Sequence, residues 1–176
     1  MRKRLPEFQS IIQVYAVIAV MFAGWTITAF LWKLSAWLLL LNLGEIFTIF
    51  AYAMAANFIE SLIVMLMLMA TCILFPASVL RDDFVVRGTV LSIGVIGSLM
   101  AFVGSQMWFG IESGLRLLIA PVSVLLLMAF LLYRVAQYHR VRSTMIWLSD
   151  SVVVFLFILV PLFSGMSIYV ILRNVA

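Results

Sequence analysis

Charge is what this sequence has least of. Eleven basic and seven acidic residues make up 10% of its 176 positions, while 66% are hydrophobic. Soluble domains run near a quarter charged and about half apolar. So few polar residues cannot build a water-facing surface, and the solvent must be lipid. Histidine and cysteine are nearly missing as well. The single histidine, His139, excludes a multi-histidine zinc site and leaves any histidine proton relay one member. The single cysteine, Cys72, excludes an internal disulfide and a cysteine-held metal cluster. Within "MLMLMATCILF" it reads as a small buried apolar residue. No metal or cofactor is expected.

Long polar linkers are absent too, so residues 1–176 are expected to form one polytopic membrane domain. The net charge of +4 comes from basic residues standing singly or in short clusters between apolar runs. That pattern argues against nucleic acid and for orientation against anionic head groups, which makes the bilayer the first partner. "MRKRLPEFQS" at 1–10 is a basic, cytoplasmic N-terminus on this reading, and the cell membrane is the expected location. The apolar run after it is longer than the core of a cleaved signal and lacks a small-x-small cleavage site, so it is read as a retained first helix.

What is present is a series of apolar runs. Six can be placed, at about 11–31, 34–56, 59–80, 90–110, 115–133 and 145–172. Each is long enough to cross about 30 Å of hydrocarbon as a helix. The runs are continuous rather than alternating, which favours a helical bundle over a barrel. Trp32, Trp37, Trp108, Tyr133 and Trp147 suit interfacial belts, and Pro121 and Pro161 are expected to kink their helices. The fold class is therefore an all-α integral membrane protein, a bundle of five to six transmembrane helices.

Charge counting separates five from six. With six spans and a cytoplasmic N-terminus, five basic residues lie inside and six outside, and the positive-inside bias disappears. If 34–56 is instead a re-entrant hairpin, the count becomes eight against three. Asn42, Gly44 and Glu45 in "WLLLLNLGEIFTIF" offer a break for such a hairpin, although Leu38 to Leu41 are apolar enough to insert outright. The five-span version is favoured.

Ionisable groups at membrane depth are costly and default to functional suspects. Glu45 is expected near the middle of its segment. Glu60 is expected to be shallower, forming with Asn57 and Ser61 a polar cluster at a helix start, where either neighbour can cap. Glu45, Asn57 and Glu60 are the candidate substrate or ion-binding residues. Asp150 reads as a cap or a partner of Arg140 or Arg142, and Asp82 and Asp83 as neutralised by Arg81 and Arg87. Gly104-Ser105 lacks the glycine pattern of a nucleophile elbow, and His139 lies outside the runs, so no enzyme activity is expected.

Small residues at helical spacing are the remaining signal. Gly97, Ala101 and Ser105 stand four apart and form the candidate helix-packing face; Ala19 with Ala23 and Ala51 with Ala55 repeat the pattern. The methionine row Met65, Met67 and Met69 is read as core. These features rank a non-catalytic subunit or scaffold first, with a membrane-protein partner or self-association. A small-molecule transporter or substrate-binding module using an intramembrane glutamate is the alternative, and it predicts that Glu45→Gln abolishes uptake or binding.

Overall fold

The computed structural model describes residues 6–74, Leu80, 83–109 and 138–175, with 105–109 given by backbone alone. These residues are helical, without strands. The elements are α1 (Phe8–Leu40), α2 (Leu43–Leu74), α3 (Phe84–Phe109), α4 (His139–Val152), a 3-10 turn (Val153–Phe155) and α5 (Leu156–Val175). Among the described residues, four stretches are long and apolar enough to cross a membrane: α1, α2, α3 through Gly104, and the run His139–Val175 that joins α4 to α5. The all-α class holds, but the count of five to six does not. The run at 115–133, with Pro121, lies outside the described residues, and the first three apolar runs fold as two helices.

An apolar window ends at a charge, whereas a helix ends where its backbone hydrogen bonds are interrupted or capped. Lys33 is exposed, and α1 continues past it to Leu40. The break comes at Leu41 and Asn42. Asn42 Oδ1 accepts the Glu45 amide at 2.9 Å, and Glu45 Oε2 accepts the Asn42 amide at 2.9 Å. This is a reciprocal capping box with asparagine in the N-cap place. Residues 34–56 are thus divided between two helices and do not form a separate re-entrant hairpin. The break was expected at these residues; its position at the tip of a long α1–α2 hairpin was not. At 1.5 Å per residue each arm is about 50 Å long.

α1 is the central helix, touching α2, α3, α4 and α5, while α2 also packs along α5. Val14 and Ile18 of α1 meet Met65, Leu68 and Cys72 of α2 and Phe84 and Ile96 of α3 in one buried cluster. Ala19 and Ala23 are buried against Met54 of α2 and Leu159 and Phe163 of α5. Ala51 and Ala55 are buried as well, so these small-residue pairs serve packing within the chain. Met65 is core, Met69 is half-buried, and Met67 is 66% exposed. The helix continues through Pro161, which has no amide hydrogen to donate; the irregular turn lies upstream at Val153–Phe155.

The candidate packing face on α3 is not closed over at Gly97 and Ala101 by contacts among the described residues. Gly97 has only the Met21 methyl near a Cβ position, at 3.9 Å, and Ala101 is exposed. The Ser105 side chain lies outside the described residues. Positions four apart advance about 40° around a helix at each step, so such a row winds off any straight contact. The close approaches are Gly88, whose Cβ position is 3.2 Å from Val14 and 3.4 Å from Leu68, and Gly104, 3.3 Å from Trp25.

Polar contacts gather in two belts. At one end Gln13 Nε2 donates to Asp150 Oδ1, and Arg142 pairs with Asp83 at 2.7 Å. At the other, the Arg173 guanidinium donates to Thr48 and to Tyr169 (3.3 Å), and Tyr52 donates to Asn174 (2.9 Å). Phe30 lies edge-on to Phe50, with ring centres 5.0 Å apart, so Lys33 comes level with Phe47 and Thr48. From Gln13 to Lys33 along α1 is roughly 30 Å of helix rise.

Candidate functional site

Glu45 is not at mid-helix. It occupies the first turn of α2, exposed, with one carboxylate oxygen committed to the capping box. Glutamine at this position can still accept from the Asn42 amide. We expect Glu45→Gln to shift stability by no more than about 0.5 kcal/mol and Glu45→Ala to cost about 1 kcal/mol. Thermal unfolding of the purified protein in detergent measures both.

Asn57 and Glu60, expected at a helix start, sit in the interior of a 32-residue helix. No helix begins there, so neither Asn57 nor Ser61 acts as a cap. Along α2 they lie about 14 and 18 Å below Thr48, near the midpoint between the two belts. Asn57 is 4% exposed. Its Oδ1 accepts the Thr26 hydroxyl at 2.9 Å, and its Nδ2 points at the Phe22 carbonyl at 3.5 Å. Ser61, fully buried, donates to the Phe58 carbonyl at 2.9 Å and meets the Tyr15 hydroxyl at 3.3 Å. These bonds satisfy polar groups that lipid would leave bare and tie α1 to α2.

Glu60 is different. Its side chain is exposed, and among the described residues it makes no hydrogen bond or ion pair. It lines a cavity of about 370 Å³ between α1, α2 and α3, with Trp25, Thr26, Asn57 and Met100 among its walls. The structure therefore brings Asn57 and Glu60 together and leaves Glu45 out, about 22 Å away along the helix. Thr26 and Trp25 were not anticipated. The sequence signal was present in "AGWTITAF", where a threonine beside a tryptophan interrupts an apolar run.

The remaining polar candidates have structural partners. Asp83 pairs with Arg142, and Asp150 accepts from Gln13 in place of an arginine; Arg81 lies outside the described residues. Asp82 lies outside the described residues. His139 is exposed at the start of α4. Among the described residues no three histidine, cysteine, aspartate or glutamate side chains come together to hold a metal.

The chain has the build of a helical membrane protein, with four apolar helices of spanning length among the described residues. Comparison with known proteins finds no matching family model, no matching curated protein and no matching solved structure.

Proposed function

We propose that this chain is a non-catalytic membrane-embedded binding module whose groove between α1, α2 and α3 takes a small apolar cation on Glu60. The observation that carries this reading is an acid midway between the polar belts, open to a cavity and without a partner among the described residues. A carboxylate is expensive at that depth unless it is paired or faces a cavity. A cavity of about 370 Å³ falls in the range of small-molecule sites, about 300–1,000 Å³, which are mostly apolar with a few placed polar groups. Trp25 offers an aromatic face to a cation, and Met100 a polarizable wall. The test is binding of tetraphenylphosphonium to the purified chain, with tetraphenylborate as a control of the same shape and opposite charge. Loss on Glu60→Gln supports the reading; equal binding by the variant ends it.

A subunit or scaffold role is the second reading. It is favoured by the flank of α3, where Leu99 and Val103, one turn apart, are both exposed and offer a surface to another helix.

The same reading carries an orientation. The two polar belts mark the faces of a hydrocarbon layer of about 30 Å. Among the described residues Arg87, Arg140 and Arg142 fall at the Gln13–Asp150 end, and the basic segment 2–4 shortly precedes α1 in sequence. Lys33 and Arg173 mark the other end. That excess of basic residues supports a cytoplasmic side for the N-terminus and the start of α4. With Cys72 replaced by serine, a cysteine at Asn42 is expected to react with an impermeant maleimide added outside cells. One at His139 is expected to react only after permeabilisation, and external labelling of His139→Cys would overturn the orientation.

A further inference from the structure

α4 differs in character from every other helix of the chain. His139, Arg142, Ser143, Ile146, Trp147 and Asp150 recur every three or four places and line one shallow cavity of about 370 Å³ on a single helix face. Trp147 is 67% exposed and Ile146 38%, while His139, Arg140 and Arg142 are exposed a turn or more further from Asp150. Asp150 is held by Gln13 at the belt, so the helix carries this face outward from the edge of the apolar layer. Its order is belt, then aromatic and aliphatic side chains, then basic groups.

We propose that this face of α4 is a binding site for an anionic phospholipid of the cytoplasmic leaflet. An indole at the interface and guanidinium groups just beyond it match the order of acyl chain, glycerol and phosphate in a lipid. Ile146 and Trp147, about 5–6 Å outward of Asp150, lie at the glycerol level, and the Ser143 hydroxyl and the long Arg142 side chain, which can reach back toward the layer, meet the phosphate. The acid in the cavity, Asp150, sits about 16 Å from His139 along the helix, below the level of the phosphate. Arg142 is already paired with Asp83, but an exposed ion pair of this kind is weak, and a guanidinium has donors to spare. The lipid therefore competes with Asp83 for Arg142. This site is independent of the groove at Glu60.

The test is native mass spectrometry of the full chain released from nanodiscs containing equal amounts of phosphatidylglycerol and phosphatidylcholine. The wild-type protein is expected to retain phosphatidylglycerol in excess, and Arg142→Gln to reduce that excess about fivefold, the effect of about one basic charge near the surface. Asp83→Asn separates lipid binding from a structural role for the Arg142–Asp83 pair. It frees Arg142 and raises retention if the lipid is the ligand, whereas it mimics Arg142→Gln if the pair merely holds α4 in place. Equal retention of the two lipids by the wild-type protein, or a loss of retention in Asp83→Asn, would overturn the proposal.

Discussion

Gly88→Leu is expected to destabilise the bundle by about 3 kcal/mol, the upper range for forcing extra methylenes into a packed site. A Cβ at Gly88 already meets both Val14 methyls at 3.2 and 3.3 Å and Leu68 at 3.4 Å. Val14 is fully buried and β-branched, so it has few alternative rotamers with which to yield. A leucine there drives its branch into the three-way contact of α1, α2 and α3, and α3 must tilt away. Gly165→Leu on α5 is the matched control, because nothing lies within 4 Å of its Cβ position. Unfolding in detergent, followed by thermal denaturation, should show the first variant lowered and the second unchanged within about 0.5 kcal/mol. Equal effects from the two would mean that α3 does not close on α1 at Gly88. The contrast also bears on Gly97→Leu, which has only a flexible methionine methyl in its way and is expected to be tolerated.

That contrast shows what the sequence carried and what it did not. Apolar content alone dictated helices in lipid, and the four long helices follow from it. Their boundaries did not, because hydropathy windows end at Lys33 and again at the polar stretch beginning with Asn57. A single charge does not stop α-helical hydrogen bonding, and the real stop was written in another code: Asn42 with Glu45 three residues later. Read as a capping pattern and not as a break in mid-membrane, those residues would have placed the α1–α2 turn correctly. The two glutamates exchanged roles for this reason. Glu45 became the helix-start acid and Glu60 the deep one. Thr26 was beyond reach, since its value lies in meeting Asn57 across 31 residues of chain. Four-residue spacing found the buried alanines of α1 and α2; in α3 the close contacts within the chain fall elsewhere, at Gly88 and Gly104, where the helices cross.

Glu60→Gln should weaken tetraphenylphosphonium binding at least about tenfold, or about 1.4 kcal/mol. Glutamine keeps the volume and hydrogen-bonding reach of glutamate and removes only the charge, so packing is preserved while the electrostatic attraction is lost. The attraction is discounted because the groove is open and Glu60 is exposed, which keeps the estimate well below the several kcal/mol of a sealed ion pair. Asn57→Leu is expected to behave differently. It leaves the Thr26 hydroxyl without its acceptor and disturbs the α1–α2 contact, so it should lower thermal stability by about 1–2 kcal/mol along with binding. Glu60→Gln should instead leave stability unchanged or slightly raised, since it removes an unpartnered charge from mid-depth. A variant that binds as well as the wild type would remove the groove from consideration and leave the exposed flank of α3, and with it the subunit reading, as the place to look. A variant that loses both binding and stability would show that Glu60 holds helices together, with the cation merely a bystander. Loss of binding alone is the outcome that an acid facing an open cavity, away from every described hydrogen-bond partner, leads one to expect.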